Sequence, residues 1–231
     1  HGFVRNKSCV TNLIEMLDII TESINRGFCL DVIFLDYAKA FDKLSHRALI
    51  VKLKGFGFNG NLLNWLIDFL SNRKQRVVID GVASEWGDVT SGVPQGSVLG
   101  PLLFVLFIND MPSVVKQNVK LFADDSKLLG VVRTHLDKLN LQNDLNSVAE
   151  WTKTWNMELN YSKCKTMTFG NNKNIKDHTY VLNGHVVEKS ELEKDLGVLV
   201  DRNLSWRCQT EHAASKANSM LGILKRSIKT W

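Results

Sequence analysis

"NVKLFADDSKLLGV", residues 118–131, sets two adjacent acids, Asp124 and Asp125, inside an otherwise apolar stretch. The alternation on either side predicts two strands closed by a tight turn, a buried hairpin. An ionised carboxylate taken out of water is strongly disfavoured unless something positive meets it. The nearest bases, Lys120 and Lys127, alternate with the apolar positions, which predicts that both point away from the acids. Some other positive charge is therefore expected there.

A second acid stands in a comparable place. "FCLDVIFLD" (28–36) is short, β-branched and aromatic, and reads as a buried strand ending at Asp36. Asp36 and the Asp124–Asp125 pair are far apart in the chain, but strand ends in one sheet can bring them to one edge. Each has an ordinary structural explanation when taken alone: Asp favours turns and caps helices. Three carboxylates at one sheet edge instead suggest a hard cation with oxygen ligands, Mg²⁺ above all. Two such ions can clamp the attacking and leaving oxygens of an in-line phosphoryl displacement.

A third feature is "TSGVPQGSVLGP" (90–101), which holds two of the three prolines together with Gly92, Gly96 and Gly100. Glycines let backbone approach a ligand closely, and the loop leads into an apolar helix whose N-terminus favours anions. A structural loop entering a core helix explains it equally well.

The rest of the chain frames these features. Residues 8–27 carry Val10, Leu13, Ile14, Leu17, Ile20 and Ile24 at helical spacing, and 42–57 and 61–72 are also helical. The basic patch "RKQR" (73–76) follows, either a solvated helix end or a phosphate contact. A hairpin is expected over 76–86 on the Asp80–Gly81 turn. An amphipathic helix is expected over 134–156, with Leu136, Leu139, Leu145, Val148 and Trp155 on its apolar side. Strands are expected at 164–170, at 180–187 (folded on Asn183–Gly184) and at 195–201. A basic helix at 207–229 uses Ala213, Ala217, Met220, Leu221, Leu224 and Ile228. A weak boundary falls at 171–178. This order predicts α+β: a small, mostly antiparallel sheet backed by helices.

Composition sets outer limits. The 231 residues, 44% hydrophobic and 23% charged, are enough for one large domain with a sizeable core. A net charge of +5 is compatible with a nucleic-acid partner. The four cysteines have no zinc-ligand spacing and suggest a reduced, intracellular protein. The longest apolar run, 98–108, is too short to span a bilayer, so no membrane partner is expected. His1 in place of Met, close to a helical pattern, reads as a piece of something longer.

Four segments occur in the order of the palm motifs of reverse transcriptases: "DVIFLDYAKAFDKLSHRALIVKL" (31–53), "TSGVPQGSVLGPLLFVLFINDM" (90–111), "KLFADDSKL" (120–128) and "WNMELNYSKCKTMTFG" (155–170). The wording resembles the jockey-like group of non-LTR (LINE-type) retrotransposon enzymes, as do "HGFVRNKSCVTNL" (1–13) and "EKDLGVLVDRNLSW" (193–206). That resemblance implies an RNA-directed DNA polymerase with a polymerase palm and incomplete fingers and thumb. The reverse transcriptase domain would span 1–190, and a primer-grip strand with the start of a thumb helix 191–231.

The resemblance also implies roles. Asp36 and Asp124 would hold two Mg²⁺ ions, which Mn²⁺ can replace, and Asp125 would complete the acidic triad. Phe41 would exclude a ribonucleotide's 2′-hydroxyl, and Tyr37, Gln95 and Gly96 would touch the nucleotide. Pro94 would line the template, Arg73, Lys74 and Arg76 would meet template or primer phosphates, and Leu196 and Gly197 would form the primer grip. Lys163, with Lys165 as the alternative, would protonate the leaving pyrophosphate. The implied partners are an RNA template, a DNA primer and a dNTP, with an endonuclease on the parent polyprotein and a nuclear site of action. Such a piece is expected to work poorly or not at all by itself. The competing readings are a non-catalytic remnant of a decayed element, an RNA-binding palm-fold protein and, against the evidence of Phe41, an RNA-dependent RNA polymerase.

Overall fold

A computed structural model gives the structure of residues 2–171 and 178–228. At its centre is the predicted apolar strand β1 (Cys29–Leu35), buried at all but one position. The helix α1 (Cys9–Asn25) precedes it, and α2 (Ala40–Lys43), α3 (His46–Gly55) and α4 (Gly60–Leu70) follow. Four two-residue strands, β2 (Lys74–Gln75), β3 (Val78–Ile79), β4 (Val82–Ala83) and β5 (Gly87–Asp88), make an exposed ribbon. Next come α5 (Leu99–Ile108), β6 (Asn118–Phe122), β7 (Asp125–Val132), α6 (His135–Thr154) and β8 (Lys165–Phe169). The chain continues through β9 (Val181–Leu182), β10 (His185–Val186), β11 (Glu188–Lys189), β12 (Leu192–Asp195), β13 (Val198–Asp201) and α7 (Arg207–Ser227).

The main sheet has the order β11-β8-β1-β7-β6, antiparallel throughout except for β11 beside β8. Alternation along β1 sorts the two faces. Leu30 and Val32 join Met16 and Ile20 of α1, Leu129, Met167, Phe169 and Val200 in a smaller core. Ile33 and Leu35 face the larger core, built with α3, α4, α5 and α6. The sheet is thus covered on both sides, and the candidate acids lie at strand ends. No helix among the described residues is long and apolar enough to cross a membrane.

Several local expectations are corrected. In α1 the buried positions are Asn12, Met16, Ile20 and Ser23, while Val10, Ile14 and Ile24 are exposed. Docking on the sheet edge selects that face, where the Asn12 amide donates to the Leu121 carbonyl at 3.2 Å. In α6 the buried stripe runs through Lys138, Leu141, Leu145, Val148 and Thr152, leaving Leu136 and Leu139 outside. The helix expected from residue 42 is split: α2 ends at Lys43 and Ser45 caps α3 through the Ala48 N–H at 3.3 Å.

The single strand expected over 195–201 is a hairpin, β12–β13, turning on Leu196–Gly197. The basic patch 73–76 is not a helix end, because Lys74 and Gln75 pair with Asp88 and Gly87. No described residue of α7 is buried, so its apolar positions have no core here. The boundary expected at 171–178 falls mostly on 172–177, outside the described residues, as does the last residue of the helix expected to 229.

Candidate active site

The Phe122–Asp125 pair closes the β6–β7 hairpin, leaving Ala123 and Asp124 as a two-residue turn. Ala123 takes a left-handed φ of 55°, backbone strain of the kind that concentrates at functional turns. Leu35 pairs with Ser126, so β1 and β7 run side by side and Asp36 emerges next to Asp125. The Asp36 carbonyl accepts from the Asn160 N–H at 2.8 Å, tying it to the loop that carries Lys163. Asp36, Asp125, Lys127, Lys163, Lys165 and Asp195 line one hollow of about 320 Å³.

Carboxylates and lysines are equal in number among these six residues, but they are not paired one to one. Partial burial, then the neighbouring Asp124, Asp195 and Asp36 carboxylates, push the Asp125 pKa above the ordinary carboxylate range, against an opposing pull from Lys127. The expectation that Lys127 points away from the acids is corrected. Two residues apart on a strand, Asp125 and Lys127 share a face, and Lys127 turns into the same hollow. It does not serve Asp125 alone, because it forms an ion pair with Asp195. Burial pulls the Lys127 pKa down, and Asp195 opposes that. Lys120 reaches Glu15 on α1 at 2.6 Å.

The two candidate lysines are now distinguished. The Lys163 ammonium lies 3.6 Å from Asp36 and is largely exposed, whereas Lys165 is paired with Glu188 at 2.5 Å. An exposed pair like the first is weak, so Lys163 is free to move.

Among the described residues no three acidic, histidine or cysteine side chains are gathered into a self-sufficient metal cage. The donors that line the hollow are hard carboxylate oxygens, which suit Mg²⁺, an ion that takes one or two protein carboxylates and completes its shell with water and substrate phosphates. The residues fit such an ion, with substrate oxygens making up the rest of its shell.

A second hollow of about 630 Å³ is lined by Arg73, Lys74, Pro94 and Gln95, together with Lys39 and Asp42. Backbone bonds lock its floor. The Gly92 N–H donates to the Leu44 carbonyl at 2.7 Å and the Val93 N–H to the Phe41 carbonyl at 2.8 Å. His46 Nε2 donates to the Gly92 carbonyl at 2.6 Å. Gly92 has φ +83°, and a Cβ there would sit 2.6 Å from the Asp42 carbonyl oxygen, so only glycine fits. Asp42 was not singled out in the sequence, yet its carboxylate accepts from the Gln95 amide at 2.7 Å.

Phe41 lies between this loop and the core, stacked on Phe104. Tyr37 is buried, and burial raises its hydroxyl pKa. Gly96 is exposed beside Gln95. Arg76 is not part of the second hollow but stacks over Trp86 at 4.7 Å. Leu196 and Gly197 directly follow Asp195, which places the β12–β13 turn next to the acids. Asp195 was missed as well, since its partner Lys127 lies 68 positions away.

The reverse transcriptase (RNA-dependent DNA polymerase) family matches residues 2–222. An RNA-directed DNA polymerase from mobile element jockey of Drosophila melanogaster is 34% identical over 182 residues, covering 75% of this chain and 20% of that protein. Its counterpart in Drosophila funebris is 32% identical over 219 residues, covering 89% of this chain and 23% of that protein. A probable RNA-directed DNA polymerase from transposon X-element of Drosophila melanogaster is 31% identical, with coverage of 89% and 23%. The chain thus spans less than a quarter of the length of these relatives.

Among solved structures, apo telomerase from Candida tropicalis, truncated from its C-terminal domain, aligns with a TM-score of 0.57 at 14% identity, over 86% of this chain and 38% of that one. Likeness at that identity shows a shared fold alone. With hairpin, strand-end acid and loop arranged as described, and with the family match running nearly end to end, the chain belongs to the reverse transcriptase family.

Proposed function

We propose that this chain is the palm of a retrotransposon reverse transcriptase, transferring the α-phosphoryl group of a dNTP to a primer 3′-hydroxyl under the direction of an RNA template. The observation that carries this reading is the meeting of Asp36 and Asp125 at adjacent strand ends, with Asp124 on the turn between β6 and β7. The buried cation beside them, Lys127, is committed to Asp195. Two bound Mg²⁺ ions would supply Lewis-acid stabilisation to the attacking and leaving oxygens.

The remaining work falls to the chain's own groups. Asp36 and Asp124 would hold the ions, and Asp125 would add the third negative charge. Phe41, backed by Phe104, denies space to a 2′-hydroxyl. Gln95, held by Asp42, lies with Pro94 and Gly96 along the nascent base pair. Lys163 gives its proton to the departing pyrophosphate. Arg73, Lys74 and Arg76 bind template or primer phosphates, a salt-dependent contribution. The Leu196–Gly197 turn grips the primer, and an endonuclease elsewhere on the parent polyprotein prepares the target.

Primer extension on an RNA template with Mg²⁺ and dNTPs tests the reading. Weak, metal-dependent extension is expected from this chain and none from a folded Asp124→Ala/Asp125→Ala variant. Equal extension by both would overturn it.

A further inference from the structure

Among the described residues the β12–β13 hairpin forms no ladder with the main sheet, and its two strands pair only with each other. Beyond the tether from β11, side chains fix its position. Val200 enters the smaller core, and the Leu199 N–H is held by Gln209 at 2.8 Å. Also buried beneath the hairpin is the ion pair of Lys127 and Asp195, whose side chains are only 2% and 4% exposed.

Both partners stand at consequential places. Lys127 is two residues from Asp125 on the same strand face. Asp195 is the last residue of β12, immediately before a turn in which Leu196 takes a left-handed φ of 47° and Gly197 one of 92°. A bulky side chain in that conformation is strained and persists only where its surroundings hold it.

A buried ion pair is a poor source of net stability, because desolvation offsets most of the attraction, and apolar replacements of similar volume are often as stable or more so. What such a pair does supply is direction: one geometry satisfies both charges, and a slipped register leaves both unpaired. We propose that Lys127–Asp195 is a positioning latch that fixes the Leu196–Gly197 turn relative to Asp36 and Asp125, and so sets where a primer 3′ end lies. The second half of this inference rests on the polymerase reading. Lys127 and Asp195 are positioning residues that touch no reacting atom.

The test separates positioning from stability. In Lys127→Met/Asp195→Leu both charges give way to apolar groups, so the fold is retained, while Lys127→Met alone leaves a buried, unpaired carboxylate beside Asp125. Hydrogen exchange is read at the amides of 192–201 and of β1 and β7. Primer–template and Mg²⁺·dNTP affinities are measured on the same preparations.

In the double variant, thermal stability and β1–β7 protection should stay as in the wild type, while hairpin amides exchange about tenfold faster. Primer–template affinity should fall about tenfold, a larger loss than any in Mg²⁺·dNTP affinity. Wild-type hairpin protection and primer affinity in the double variant would overturn the proposal. A wild-type chain that binds no primer–template removes the primer half together with the polymerase reading. The exchange data then decide whether the pair fixes the turn.

Discussion

The Phe41 ring lies against Phe104 of α5 with centroids 4.3 Å apart and 23° between the planes. Phe104 is fully buried, so Phe41 is braced from behind, and in the proposed polymerase it would stand against an incoming sugar. Phe41→Ala should remove that barrier and raise ribonucleotide incorporation relative to deoxyribonucleotide by about tenfold or more, the scale of one lost steric contact. Competitive incorporation of ATP against dATP checks this, and an unchanged ratio would remove Phe41 from sugar selection.

Asp125 makes a second prediction, about stability. Its pKa is raised in the folded chain, so its favourable contribution is present below the ordinary carboxylate value of 3.8 and is lost as pH climbs through the raised value. At neutral pH without metal it is a penalty. Asp125→Asn should therefore melt higher than the wild type at pH 7.5 in chelator, by no more than about 2–4 °C given solvent screening. The gap should close as pH falls toward the ordinary carboxylate range. Mg²⁺ should raise the wild-type melting temperature more than that of the variant, as thermal unfolding with and without the ion would reveal.

Lys163 and Lys165 should behave differently. Lys163 reaches Asp36, whereas Lys165 is occupied by Glu188. Lys163→Ala should slow the single-turnover chemical step by about 10²-fold, the lower end for loss of a general acid, with dNTP affinity little changed. Lys165→Ala should leave that step close to the wild type. Rapid-quench kinetics distinguishes them, and the opposite ranking would move the role to Lys165.

The centre of the sheet has its own test. Asp31, buried in β1, accepts from the Tyr180 hydroxyl and from Thr168 Oγ1, both at 2.6 Å. Tyr180→Phe strips one donor from a buried carboxylate and should destabilise the chain by about 1–3 kcal/mol. Urea denaturation would measure this, and a neutral result would mean that water replaces the hydroxyl.

What could be read from the sequence was local. The hairpins at Asp80–Gly81 and Asn183–Gly184, the acidic turn at Asp124 and the strand ending before Asp36 all announce themselves within a few residues, through turn chemistry and alternation. Facing was less legible. Asn12 and Asp144 are buried because partners distant in sequence satisfy them: Leu121 for the first, and the Lys116 and Gln117 N–H groups for the second, at 3.0 and 2.8 Å. No apolar periodicity encodes such partners, so it gives the faces of α1 and α6 only in part: Leu13, Leu17, Ile20, Leu145 and Val148 face the cores, while Val10, Ile14, Leu136 and Leu139 do not. Lys127 was misjudged for the same reason, since only the folded chain brings Asp195 to it.

The most direct measurement of the central claim is a Mn²⁺ titration followed by electron paramagnetic resonance, in the presence of a dNTP. It would compare the wild-type chain with Asp36→Asn and Asp124→Asn. If these carboxylates await divalent ions completed by substrate phosphates, the wild type should bind Mn²⁺ tightly only with the dNTP present, and each variant should lose that binding. Equal Mn²⁺ binding by all three proteins, or no effect of the dNTP, would contradict the account.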